Sequence, residues 1–147
     1  MKIGIASDHR GYELKQKIIK DMKGIEFVDF GTNSDKSVDY PDYAFKLCTG
    51  IINKKVDLGI AICGSGIGIS IACNKVKGIR CARVTTIKDV KVTKKDNNAN
   101  VEELTEALKK IGELMSKENL EKLSTEELLK CNEQINRIKA IITSKII

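Results

Sequence analysis

Cys63 ends an apolar run and opens the turn Cys63-Gly-Ser-Gly-Ile-Gly68, after which a second apolar stretch begins. A thiol at a strand-to-helix turn meets unpaired backbone N–H groups and the positive end of a helix dipole. Both favour the thiolate and bring its pKa below the ordinary value of about 8.5. Gly64, Gly66 and Gly68 have no Cβ, so their amides can approach a phosphate or an oxyanion closely. A thiolate beside such amides can take a proton from the carbon next to a carbonyl while the amides hold the resulting enediolate. A buried structural cysteine ahead of a tight turn fits the same spacing. The turn is not a P-loop, because no Gly-Lys-Ser/Thr follows at the required distance.

The one histidine, His9, follows Asp8 directly after another short apolar run. It can bind a phosphate or a sugar hydroxyl, shuttle a proton, or serve as a plain structural residue. Asp8 can bind ligand, cap the helix that starts at Gly11, or form a surface ion pair. Cys48, Cys73, Cys81 and Cys131 occupy apolar positions and read as packed core thiols. Five cysteines with no C-x-x-C pair, beside a single histidine, argue against both a disulfide framework and a zinc site. Reduced thiols, no signal-peptide pattern and no apolar run near the roughly 18 residues of a membrane span lead one to expect a cytoplasmic protein.

These residues need a scaffold. Residues 2–7 form a short β-branched strand, and Leu14, Ile18, Ile19 and Met22 mark a helix that Gly24 closes. Residues 25–30 read as a second strand, 31–41 as a loop and 42–53 as a helix after Pro41. Residues 56–62 form a continuous apolar strand of the kind buried on both faces of a parallel sheet. A helix to about Val76 and a strand over 79–84 follow. This alternation predicts an α/β fold: a three-layer αβα, Rossmann-like parallel sheet of four or five strands with a helical C-terminus. Ligands bind such sheets beyond the carboxyl ends of the strands, where Asp8-His9, Tyr40 and Cys63–Gly68 fall.

The 147 residues suit a single domain, yet the chain is uneven. Ten of the 11 glycines lie in residues 1–85 and all six aromatics precede residue 46. Residues 86–147 carry 12 Lys/Arg and 11 Asp/Glu and read as mostly charged helix belonging to the same domain. Asn100 and Glu103 pair as a helix cap ahead of the stripe Leu104, Ala107, Leu108, Ile111, Met115; two more helical stripes follow. Ile146 and Ile147 hint at an oligomer interface. The net charge of +6 is spread out, without like-charge blocks, and no aromatic lies beside the basic residues of the back half to stack on bases. It fits a small phosphorylated metabolite better than a nucleic acid.

Taken together, Ser7-Asp8-His9-Arg-Gly11-Tyr-Glu-Leu-Lys15, Asp29-Phe-Gly-Thr32, Asp39-Tyr-Pro41, Cys63-Gly-Ser-Gly-Ile-Gly-Ile-Ser70, Asn74-Lys75 and Gly78-Ile-Arg80 resemble the type B ribose-5-phosphate isomerases and the related galactose-6-phosphate isomerases. The resemblance is continuous over residues 1–84 and thins beyond them. It implies a cofactor-free aldose–ketose isomerase, homodimeric or homotetrameric, acting on a phosphorylated pentose or hexose at sites on the dimer interface. It gives Cys63 the role of base and Gly64, Ser65, Gly66, Ile67 and Gly68 that of the anion hole. Asp8, His9, Tyr40 and Asn97 would bind substrate.

The resemblance also marks departures. Where the family has the histidine that opens the sugar ring, ahead of Asn97-Asn-Ala-Asn100, this chain has Asp96, and an aspartate is ordinarily a poor proton donor at neutral pH. Ala107 stands in place of an arginine. Leu128, Leu129, Lys130, Cys131 and Gln134 replace an arginine-bearing phosphate segment, leaving Lys130 as its cation. Arg10, Arg83 and Lys94 are further cations for the phosphate and ring. The family's fifth strand corresponds to Glu102–Ala107, which reads as helix. Two functions stay open: interconversion of ribose 5-phosphate and ribulose 5-phosphate, or a catalytically impaired relative that binds a sugar phosphate or serves as an assembly subunit.

Overall fold

In a computed structural model, which describes residues 1–105, strands and helices alternate along the chain. The order is β1 (Lys2–Ser7), α1 (Tyr12–Asp21), β2 (Glu26–Asp29), α2 (Tyr40–Ile52), β3 (Leu58–Cys63), α3 (Ile67–Asn74), β4 (Cys81–Arg83), α4 (Ile87–Asn97) and β5 (Val101–Thr105). The five strands form one sheet in the order β2-β1-β3-β5-β4, and every pairing is parallel. The Rossmann-like layering expected from the alternation is therefore present, with five strands.

Side-chain size along β1 and β3 shapes the layers. Ile3, Ile5, Leu58, Ile60 and Ile62 face one way and pack with Leu14 and Ile18 of α1 and Val90 of α4. Successive strand residues point to opposite faces, so the other face carries Gly4, Ala6, Gly59, Ala61 and Cys63. Ala6, Ala61 and Cys63 pack there with Ala44, Leu47 and Cys48 of α2 and Ile69, Ala72 and Cys73 of α3. The small residues let α2 lie close to the sheet. A methyl on Gly4 would come within 2.6 Å of Leu47 Cδ1. β3 is buried along its whole length, which explains its uninterrupted apolar sequence.

β5 corrects the helix read for Glu102–Ala107 over the part described. Val101–Thr105 is a strand between β3 and β4, with Gly59 in register with Val101 and Cys63 with Thr105. The leucine, alanine and glutamate content favours helix locally. A strand of β3's burial, however, must pair its backbone on both sides, and this outweighs propensity. Asn100 likewise caps no helix: its Oδ1 accepts from the Arg80 N–H at 2.8 Å and its Nδ2 donates to the Gly78 carbonyl at 2.9 Å. The stripes from Ala107 onward, and Ile146 and Ile147, lie outside the described residues.

Two polar devices hold helices in place. The fully buried Lys15 of α1 ion-pairs with Asp29 at the end of β2, whose other oxygen accepts the Gly31 N–H at 2.8 Å. At the start of α4, Thr86 Oγ1 accepts the Asp89 N–H at 3.1 Å and Asp89 Oδ2 accepts those of Thr85 and Thr86 at 2.8 Å. The Thr85 N–H and hydroxyl, and the Thr86 groups after them, lower the Asp89 pKa.

Lys15→Ala is expected to cost about 3 kcal/mol in urea unfolding, because Asp29 loses its counter-ion and the helix its buried stem. A loss below about 1 kcal/mol would show that the pair is no tie. The lowered pKa means that Asp89 stabilises the fold above about pH 3.9, the ordinary aspartate value, and that this contribution is lost as pH falls through the folded value below it. The stability gap between the parent and Asp89→Asn should therefore narrow on acidification below that point. A gap constant with pH would contradict this account of the cap.

Candidate active site

The strand order reverses between β1 and β3: the chain leaves β1 for β2 on one side and later returns to β3 on the other. This switch point opens a crevice beyond the carboxyl ends of the two strands. Their ends are stitched directly, since the Asp8 N–H donates to the Ile62 carbonyl at 3.1 Å. Gly11 lies against the same carbonyl, where a Cβ would come within 2.8 Å of the Ile62 oxygen. The β1–α1 turn thus sits on the end of β3, beside Cys63.

Each predicted residue on this edge has a defined setting. Asp8 is buried, and its Oδ1 accepts the N–H groups of Arg10 at 2.9 Å and Gly11 at 3.0 Å. It therefore caps the turn into α1 while standing at the crevice. His9 is half-buried, with Nδ1 3.2 Å from both the N–H and the carbonyl of Val38. That contact fastens the 32–39 loop to the β1–α1 turn and fixes one ring nitrogen, leaving the tautomer to set the character of the other. Tyr40 is in the first turn of α2, and its ring lies over Gly68, where a methyl would be 2.7 Å from Cζ. The missing Cβ of Gly68 therefore makes room for Tyr40.

Cys63 is buried at the last residue of β3. Gly66, in the left-handed region at φ 73°, turns its N–H onto Cys63 Sγ at 3.2 Å. An N–H aimed at sulfur stabilises negative charge there. The Ile67 N–H is 3.3 Å from Ser65 Oγ, so these two amides of the turn are directed within it. The Cys48 pKa is raised, first by its contact with Cys73 and then by burial. The contact with Cys48 lowers that of Cys73, but Cys81 and burial outweigh it and the net shift is upward. Both stay protonated at neutral pH, as packed core thiols should, and Cys81 is half-buried against the same core.

Asp96 and Asn97 do not join this site within one chain. They are exposed in the last turn of α4, which leads from the carboxyl end of β4 back to the amino end of β5. The length of the sheet, about 17 Å for strands of this size, separates them from Cys63. At that far edge the Asn97 carbonyl accepts from Arg80 Nε, and a pocket of about 270 Å³ is lined by Asn74, Arg80, Cys81, Ala82, Asn97 and Ala99. Lys130, Cys131 and Gln134 lie outside the described residues. Among the described residues no group of three His, Cys, Asp or Glu side chains is placed to hold a metal ion. From the sequence Arg83 is one further cation for the phosphate and ring; in the fold its Nε is 3.3 Å from the Ser65 carbonyl. The signal was its spacing of two from Cys81, which puts both on one face of β4.

Comparison with known proteins gives concordant results. The sequence profile described as ribose/galactose isomerase matches residues 3–141. The chain is 43% identical over 103 residues to Ribose-5-P isomerase B of Listeria innocua, covering 69% of this chain and 70% of that one. The fold superposes on the ribose-5-phosphate isomerase B of Clostridium thermocellum with a TM-score of 0.77 at 36% identity, covering 97% of this chain and 84% of that one. The enzyme from Mycoplasma genitalium, solved with bound ribulose-5-phosphate, gives a TM-score of 0.71 at 33% identity, covering 96% and 82%.

Gly11→Ala is expected to destabilise the protein by about 1–3 kcal/mol, since the added methyl meets a backbone carbonyl that cannot rotate aside. Thermal or urea unfolding measures it. An unchanged midpoint would contradict the close seating of the β1–α1 turn on β3.

Proposed function

The chain belongs to the ribose/galactose isomerase family, and from that premise we propose that it interconverts ribose 5-phosphate and ribulose 5-phosphate through an enediolate, with Cys63 as the base. The observation that carries this reading is the Gly66 N–H directed at Cys63 Sγ at the switch point, one strand away from Asp8 and His9. The thiolate removes the proton from C2 of the open-chain aldose. The electrons move into a C1–C2 double bond, and the former carbonyl oxygen becomes the enediolate oxygen held by the turn. The C2 hydroxyl passes its proton to the C1 oxygen, and return of a proton to C1 as the C2–O bond becomes a carbonyl gives the ketose. No redox cofactor enters this balance, because the oxidation at C2 equals the reduction at C1.

Two copies complete the site in this proposal. α3 exposes Ile67 and Ile71, each 54% accessible, one turn apart beside the crevice. Covering them with a second copy supports a homodimer or homotetramer in which Asp96 and Asn97 of one copy reach Cys63 of the other. Four free cysteines among the described residues support a cytoplasmic setting. No described helix is long and apolar enough to cross a membrane. A second reading, a weakly active relative that binds the sugar phosphate without turning it over, is favoured by one observation: Asp96 offers a carboxylate where the family has an acid histidine.

A coupled assay on ribose 5-phosphate separates the two. Turnover that falls at least about 1,000-fold in Cys63→Ala is expected, a loss on the scale of removing an essential catalytic group. Thermal stabilisation by the substrate without isomerisation would establish the second reading instead. Ile71→Asp should shift the protein to monomers in sedimentation and lose activity with them. A variant that remains oligomeric and active would contradict the proposed interface.

A further inference from the structure

Arg83 is the described cation that the fold brings to the glycine-rich turn. Lys94 Nζ donates to the Ala99 carbonyl at 3.1 Å, near the amino edge of the sheet, and Arg10 is exposed on the turn before α1. Arg83 is the last residue of β4, and Cys81, two residues earlier, packs against the core half that contains Cys63. Alternation therefore sends Arg83 out on the face of the sheet that Cys63 occupies, at the same end. From its place in register with Glu103 its side chain reaches across β5 to place Nε 3.3 Å from the Ser65 carbonyl.

The peptide unit it reaches is the one that serves Cys63. The carbonyl of Ser65 and the N–H of Gly66 belong to one planar trans peptide and point in opposite directions. The carbonyl end accepts from Arg83, while the N–H end lies 3.2 Å from Cys63 Sγ. Guanidinium, peptide and sulfur thus form a single hydrogen-bonded chain, in which a cation at one end polarises the peptide toward an anion at the other. Other orientations of this peptide would take the N–H off the sulfur, and the bond from Arg83 opposes them.

We infer that Arg83 is a positioning residue of the isomerase, which acts through the Ser65–Gly66 peptide to hold an N–H on Cys63 and to favour its thiolate. Its effect on turnover rests on the isomerase reading above; its effect on the thiol does not. Among the described residues, Asp8, His9 and Arg10 on the β1–α1 turn, Asp29 at the end of β2, Tyr40 at the start of α2 and Asp89 at the start of α4 stand at this end of the sheet, and Cys48 and Cys73 share the core half of Cys63. The β5 residue in register with Cys63 is the uncharged Thr105.

The test is a pH titration of thiolate ultraviolet absorbance in the parent, Arg83→Met and Arg83→Lys, each read against its own Cys63→Ala background. It requires neither turnover nor access of a reagent to the sulfur. The Cys63 midpoint should rise by about half a pH unit or more in Arg83→Met. Arg83→Lys, which keeps a charged donor, should recover at least half of that rise. In an enzyme that turns over, kcat should fall about 10-fold in Arg83→Met with KM within about threefold, as for a group acting on the base rather than on substrate affinity. A midpoint within about 0.2 units of the parent in Arg83→Met overturns the inference whatever happens to activity. If Arg83→Met does not fold, a rise in Arg83→Lys of at least about 0.2 units, the measure of a weaker donor, supports the inference, and a smaller change overturns it. A parent that never isomerises while the midpoint still shifts would remove the proposed function and leave the Arg83–Cys63 coupling standing.

Discussion

The parallel pairing of β1 with β3, closed at its carboxyl end by the Asp8 N–H on the Ile62 carbonyl, is the constraint from which the site follows. It makes the switch point of the sheet. It also brings together two turns far apart in sequence, one with Asp8 and His9 and the other with Cys63 and the glycines. Neither turn is a site alone: the first offers a carboxylate and an imidazole, the second a thiol with an N–H aimed at it. The requirement that β3 be satisfied on its other side draws Val101–Thr105 into the sheet. That strand separates β4 from β3 and leaves a cation at the end of β4 within reach of the turn.

The remaining packing serves this edge. Alternating large and small residues on β1 and β3 seat α1 and α4 over bulky isoleucines and bring α2 close over Gly4. Close approach of α2 carries Tyr40 onto Gly68 and so onto the first turn of α3. The buried Lys15–Asp29 pair fixes the chain where it leaves β2, just ahead of the loop that His9 holds through Val38. Buried ion pairs add little net stability, yet breaking one is costly, and such a tie specifies where a helix end and a strand end must meet.

The front of the chain was legible because its signals are local. An uninterrupted apolar run of strand length, followed at once by Gly-Ser-Gly, places Cys63 at a strand end, and the same logic places Asp8 and His9. β5 was not legible, since Glu102 to Ala107 carries helix formers and the demand for a strand comes from β3, some forty residues earlier. The separation of Asp96 from Cys63 depends on which edge of the sheet α4 returns to, and no spacing encodes that. The link from Arg83 to Cys63 runs through the orientation of one peptide plane, a property of φ and ψ at Ser65 and Gly66 rather than of any side chain. The seating of Tyr40 over Gly68 was not legible for a related reason: a glycine under an aromatic ring looks like any other glycine in sequence.

The central claim is that this edge of the sheet moves a proton between adjacent carbons of a sugar phosphate. Proton NMR of ribose 5-phosphate incubated with the purified protein in deuterated water tests it most directly. The expected result is ribulose 5-phosphate carrying solvent deuterium at C1, because a thiol base exchanges its proton with water between removal at C2 and return at C1. Ribulose 5-phosphate formed without any deuterium at C1, or no conversion at all, would contradict the account.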